Sequence, residues 1–364
     1  MQNNKLIATN LIGRPYWQAP IMAARIDCDN SVAHNIAAAK AIESACRIEV
    51  SSQTKKLREL ILAAEIIKNH TFDLYFDVLP DFLGLDSASE LSKNHPDLYK
   101  NATKLQKFTD QILISVGGRA IHPITSVVGG FKSYPTHLDG DVSLQREASP
   151  DMLAAETLRL FSSFDLPVSK LQPDFAALHM DKEYACYDGE IWTSKGELYT
   201  EDKFLEFAHE QSFPPCIRVR DKLRRESMKR RMDPRASLSS HTAEPEDDKA
   251  IVVGALARYN LNQSHFDEKT KKILSELKIE KKIENPTALI LAKAIEIYYF
   301  VILSIEILSH SAKAGIKDEH VIPPRKFSSG SSAVESASGI VVHSCELDKD
   351  GIILKYEIDA LNNP

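Results

Sequence analysis

Paired cysteines are the first thing this sequence lacks. Its 364 residues hold five, at positions 28, 46, 186, 216 and 345. No two stand at a CxxC spacing, so no zinc ribbon or cluster-binding run is encoded. Five scattered thiols in a chain of this length fit the reducing cytoplasm better than a disulfide framework. Glycine and proline are also sparse, at 14 and 17 residues, which excludes a chain made mostly of linker. Positive charge is not in excess: 45 basic and 51 acidic residues leave a net charge of -6, which argues against a dedicated nucleic-acid binder. The start has no basic segment leading into a long apolar one, so no signal peptide is read there. The hydrophobic runs are too short for a membrane span. Ala288–Ser309 is apolar, yet its unbroken core is only Ile297–Ile305, flanked by Glu296 and Glu306, and a spanning helix needs about 20 mostly apolar residues. This segment predicts a buried helix.

Amphipathic periodicity is abundant. Ser31–Ile48 places Val32, Ile36, Ala39, Ile42, Ala45 and Cys46 on one face and Lys40, Glu43 and Arg47 on the other, the spacing of a helix. Gln53–His70 repeats the pattern, Leu98–Val116 is a third helix stopped by Gly117 and Gly118, and Ser149–Phe164 a fourth. Between the last two, residues 119–140 read as an extended, glycine-rich loop. Tyr184–Tyr199 reads as short strands with turns at Asp188-Gly189 and Lys195-Gly196. Asp267–Glu280 and Pro286–Ala314 are two more helices, and Ile340–Ile358 is a hairpin. The expected fold is therefore mainly α with small β elements (α+β). It forms one unit over residues 1–364, with a β-rich insertion at about 175–200. Nine basic residues between Arg218 and Arg235, interrupted by three acids and followed by Glu244–Asp248, predict a mobile charged loop at about 218–248.

Five segments, in order, resemble the large subunits of [NiFe] hydrogenases, above all the cytoplasmic, cofactor-reducing branch. They are Gly13–Pro20 (GRPYWQAP), Arg25–Ala45 (RIDCDNSVAHNIAAAKAIESA), Gly117–Phe131 (GGRAIHPITSVVGGF), Gly254–Asn262 (GALARYNLN) and Glu335–Gly351. The resemblance implies a helical body around a buried nickel–iron centre, docked on a small subunit that carries iron–sulfur clusters. It implies four thiolate ligands, because soft sulfur suits nickel and low-spin iron and can bridge them. Two belong to the pattern R-x-C-G-x-C-x-x-x-H and two to a D-P-C-x-x-C close to the family's C-terminus.

The departures from that pattern concern one place. Arg25 and His34 occupy the ends of the first motif, but its cysteine positions hold Asp27 and Asn30, and Cys28 stands where the family has glycine. A shift of one residue turns a side chain elsewhere, so Cys28 is a poor replacement. The family's arginine in an E-A-P-R-G-like run is Ser338 here. Against the family the chain also reads as truncated at both ends, without the terminal cysteine pair. The resemblance therefore implies an inactive homologue whose motif positions Arg25, Asp27, Cys28, Asn30, His34 and Ser338 are vestigial. No catalytic residue and no metal or cofactor is expected in this chain. The expected role is a structural subunit docking an iron–sulfur small subunit through Gly117, Gly118, Arg119, His122, Gly129 and Gly130. Further flavin- or NAD(P)-linked subunits belong to the same expectation. The competing reading is a remodelled cavity that reduces another small substrate, quinone-like or other, with electrons from the small subunit. Asp27, Asn30 and His34 are weighed as a hard-metal set, against the plainer expectation that they bond to one another, to Arg25 or to water.

Overall fold

The computed structural model describes residues 2–135, 149–168, 173–200 and 251–362. The charged segment at 218–248 and Cys216 lie outside them. The chain opens with helix α1 (Gln2–Leu11) and the short α2 (Ala19–Ala23), and then forms α3 (Ser31–Cys46). Helix α3 is buried on almost every side, and Ala37, Ala38, Ala39 and Ala41 are fully enclosed. A helix apolar all round belongs in a core, and its alanines let neighbours approach closely. On one side lies the C-terminal sheet, in which β7 (Ser329–Glu335), β8 (Gly339–Leu347) and β9 (Ile353–Asn362) run antiparallel in that order. The approach is so close that a Cβ on Gly330 would stand 2.4 Å from the Ala45 nitrogen; only glycine fits.

On the other side of α3 stands α4 (Ser52–Phe72), capped by Ser51, whose side chain accepts from the Thr54 amide. It continues into a π-helical turn, Asp73–Val78, and then into α5 (Leu79–Leu83), which ends at Gly84 with a φ of 70°. After α6 (Ala88–Asn94), helix α7 (Pro96–Gly117) packs along α4 and closes on Gly118 at a φ of 79°. Two very short strands, β1 (Ser126–Val127) and β2 (Gly130–Phe131), fold the following loop back on itself. Next come α8 (Pro150–Ser162) and a sheet in the order β5-β4-β3-β6. Its strands are β3 (Asp174–His179), β4 (Glu190–Thr193), β5 (Leu198–Tyr199) and β6 (Ile251–Val252), and β6 runs parallel to β3. Helices α9 (Ala255–Asn262), α10 (Glu268–Glu276) and α11 (Leu289–Ala314) lead to the C-terminal sheet. Among the described residues α11 is the one helix long and apolar enough to cross a membrane. As its apolar window is 72% buried inside the protein, it serves as a core helix, with Tyr299 and Phe300 packed against Tyr184 and Phe266.

The mainly α architecture with small sheets agrees with the sequence reading, and several elements differ from it. The C-terminal hairpin is a three-stranded sheet, because the serine-rich β7 carries little strand signal and is held by its close contact with α3. Helices α1 and α6 have short, weak apolar patterns and were not expected. The predicted helix Asp267–Glu280 stops at Glu276, and Lys278 adopts a φ of 56°. The loop after α7 is pinned rather than extended: Ile124 donates to the Gly117 carbonyl and Lys132 to that of Thr125.

Candidate functional site

Three stretches far apart in sequence meet around a cavity of about 480 Å³. The turn before α3 supplies Asp27, Asp29 and Asn30. The end of α4 and its π turn supply Asn69, His70, Asp73 and Asp77, and the β7–β8 connection supplies Ala337 and Ser338. Ala255, Leu289 and Lys293 close the wall. A π turn widens a helix locally and recurs at functional sites; here it brings two aspartates to the cavity. Of the six motif positions, the fold thus unites Asp27, Asn30 and Ser338.

At the rim, Asp27 accepts from the Asp29 backbone amide at 3.0 Å and from Asn30 Nδ2 at 2.7 Å. That second bond sets the orientation of the Asn30 amide, since its oxygen would be repelled by the carboxylate. Asn30 Oδ1 is buried and has no hydrogen-bond partner among the described residues. Burial and the charge of Asp27 both push the Asp29 carboxyl upward. The Lys293 ammonium is committed to Asp73 at 2.6 Å.

Beneath the cavity lies a fully buried ionic cluster that sequence reasoning did not find. Arg258 donates Nε and Nη2 to the two oxygens of Glu296, both at 2.7 Å. Its Nη1 reaches Glu335 at 2.8 Å and the Ser336 carbonyl at 2.7 Å. Tyr184 and His70 complete the shell of Glu296 at 2.6 and 2.8 Å, and Glu335 also accepts from the Leu178 amide. Burial pushes Glu296 upward, but the Arg258 charge and hydrogen bonds, with those of His70, hold it at about 2. Burial dominates at His70 and lowers it. The signal for this cluster was available: Arg258 and Glu296 each interrupt an apolar helix, and a charge there requires a partner.

The remaining predicted residues go elsewhere. Arg25 is exposed and donates to the Ile21 carbonyl, so it does not settle the charge of Asp27 as expected. His34 is separate from the cavity, its Nδ1 lying 3.0 Å from Nε2 of His343, whose Nδ1 meets the Tyr356 hydroxyl at 2.9 Å. Burial lowers His34 to about 4 and His343 well below the usual range. Cys28 is exposed, 3.9 Å from Nε2 of His122. His122 donates Nδ1–H to the Ala24 carbonyl at 2.6 Å and its backbone N–H to Ser31 at 3.2 Å. Ser31 in turn donates to Glu65, which also accepts the Val32 and Ala33 amides at the start of α3. Burial pushes Glu65 up to about 8 against those donors. Arg119 and Gly118 are exposed and Gly117, Gly129 and Gly130 are buried. The glycines were expected to let a partner's backbone approach, but Gly129 has an internal cause. With a φ of 83°, a Cβ there would lie 2.3 Å from the Ile322 carbonyl oxygen. Among the described residues no three His, Cys, Asp or Glu side chains converge as a metal set.

No family model matches the chain. It is 28% identical over 347 residues to sulfhydrogenase 1 subunit alpha of Pyrococcus furiosus, a match covering 93% of this chain and 74% of that one. Sulfhydrogenase 2 subunit alpha of the same organism is 36% identical over 152 residues, 42% of this chain and 37% of the relative. The chain is a hydrogenase large-subunit homologue. Its fold agrees: the structure of an NAD+-reducing [NiFe]-hydrogenase superimposes with a TM-score of 0.71 at 17% identity, covering 97% of this chain and 79% of that one. The better-conserved match to sulfhydrogenase 2 thus spans little more than a third of that relative's length.

Proposed function

We propose that this hydrogenase large-subunit homologue is a structural subunit of a cytoplasmic electron-transfer complex and does not itself turn over hydrogen. The observation that carries the proposal is the rim of the cavity. Where the resemblance places two thiolates and an arginine, Asp27, Asn30 and Ser338 stand together. Carboxylate and amide oxygens are hard, acceptor-type ligands, unlike the soft bridging sulfur that nickel and low-spin iron require. Asp27 is moreover bonded to Asn30 Nδ2 at 2.7 Å, so the two motif positions are engaged with each other. The residues present do not fit a nickel–iron group.

The docking role rests on the loop after α7. Ser31, Glu65 and the Ala24 carbonyl hold His122 in a left-handed conformation with a φ of 58°, beside the exposed Cys28, Arg119 and Ile121. A small subunit carrying iron–sulfur clusters is the partner this face would take, with flavin- or NAD(P)-linked subunits further out. The second reading, reduction of another small molecule in the cavity, is favoured by one observation, the retained volume of about 480 Å³. The test is co-expression with a small subunit, followed by affinity purification and metal analysis. Iron and sulfide should follow the small subunit, with no stoichiometric nickel, and Arg119→Glu should weaken the pairing. One nickel per chain, or a chain that ignores the small subunit, would sink the proposal.

A further inference from the structure

A nucleophile and a base meet outside the cavity, where the turn before α3 faces the loop after α7. Cys28 Sγ stands 3.9 Å from Nε2 of His122, and neither residue lines the cavity. His122 Nδ1 lies 2.6 Å from the Ala24 carbonyl oxygen. That oxygen only accepts, so Nδ1 carries the proton and Nε2 keeps a free lone pair beside the thiol. The contact is long for a hydrogen bond, as contacts between a nucleophile and its base often are before a reactant binds. Both partners are fixed by their surroundings. The His122 backbone N–H is held by Ser31 at a φ of 58°. The turn of Cys28 is pinned through Asp29, whose amide donates to Asp27 and whose carbonyl accepts from Asn69. The other thiols of the described residues are the contrast: Cys46, Cys186 and Cys345 are buried, whereas Cys28 is exposed. Burial pushes Cys46 up to about 11 and Cys345 up to about 12, which keeps both protonated and inert.

We infer that Cys28 is a thiol-modification site at which His122 serves as general base toward low-molecular-weight disulfides. The inference goes beyond the structural-subunit reading and does not depend on it. His122 Nε2 takes the thiol proton, and the Cys28 sulfur attacks one sulfur of the disulfide. A new S–S bond forms as the old one breaks, and the proton passes from His122 to the departing thiolate. One mixed disulfide and one free thiol result, so the disulfide itself is the oxidant. A thiol without such help is mostly protonated at pH 7, and a placed base typically gains about 10²–10⁴-fold.

Oxidised glutathione, added to the unpaired full chain at pH 7, tests this, with the rate read on the Cys28 peptide by mass spectrometry. That peptide should gain one glutathione, while those of Cys46, Cys186 and Cys345 stay unmodified. His122→Asn should slow the reaction by about tenfold or more. Asparagine suits the left-handed backbone, so the fold should be kept, as thermal unfolding checks. Free imidazole in the buffer should restore much of the rate in that variant, which a merely structural role of His122 would not allow. Unfolding the wild-type chain in urea should also slow Cys28, because it separates the pair. Equal rates for wild type and His122→Asn, a slow variant that imidazole leaves slow, or a Cys28 no faster folded than in urea would each overturn the inference. So would a zinc ion that blocks Cys28 until a chelator removes it, since the pair would then be a metal site.

Discussion

The floor and the rim of the cavity are less than one helix turn apart in sequence at His70 and Asp73, yet they handle charge in opposite ways. In the floor every carboxylate is bonded: Arg258 spans Glu296 and Glu335, and His70, Tyr184 and the Leu178 amide donate to them as well. At the rim Asp27 accepts from two neutral donors, the Asp29 amide and Asn30 Nδ2, and Asn30 keeps an oxygen without a partner among the described residues. A buried charge survives folding only when it is paired and bonded, whereas a charge open to a cavity can be left for water or a ligand. The comparison separates a cluster that holds the fold together from one that is available for binding.

The sharpest way to break the comparison is to remove one charge from each side. Arg258→Met would strand two carboxylates in the core and should destabilise by about 3–5 kcal/mol, measured by urea unfolding at pH 7. Asp27→Asn should stay within about 0.5 kcal/mol of wild type, as surface-like changes usually do. Similar losses for the two would erase the distinction between floor and rim. A smaller effect is expected at Gly129, whose φ of 83° and 2.3 Å approach to the Ile322 oxygen are set inside the chain. Gly129→Ala should cost about 1–3 kcal/mol in the chain without any partner. If stability changes only in the complex, the glycine serves docking after all.

An effect of similar size depends on pH and sharpens the contrast with a third buried cluster, the neutral pair His34–His343. His34 has its folded value lowered to about 4, so the folded state binds the proton less readily than the unfolded chain, whose histidine titrates near 6.5. Its contribution is present above about pH 6.5 and is lost as pH falls toward 4. Between pH 7 and 5 stability should drop by about 2 kcal/mol from this group, and His34→Gln should flatten that dependence. Glu296, held at about 2, contributes nothing to the change in this window. Its own stabilisation is lost only as pH falls below the usual carboxylate range toward 2.

How much of this was legible beforehand depends on the range of the interaction. Helices α3, α4, α7, α8 and α11 were readable because each carries its apolar stripe within itself. Strand β7, by contrast, is held by Gly330 lying against Ala41 and Ala45, a contact across nearly three hundred residues. At the site, the family resemblance implied that Asp27, Asn30 and Ser338 belong to one place, and the structure brings them to one cavity. It could not say that His34 would turn to His343 or Cys28 to His122, because side-chain direction in a turn depends on backbone torsions that spacing does not specify.

The sequence by itself determined the amphipathic helices, the hydrogenase-like order of segments, and the replacement of cysteine by Asp27 and Asn30, since each is a local choice of residue. Only the tertiary structure decided which buried charges meet. Arg258, Glu296 and Glu335 lie on two helices and a strand whose packing alone brings one guanidinium between two carboxylates. It also decided that Asn30 Oδ1 has no donor among the described residues, because a hydrogen bond is satisfied or left open by the groups that folding places within about 3 Å.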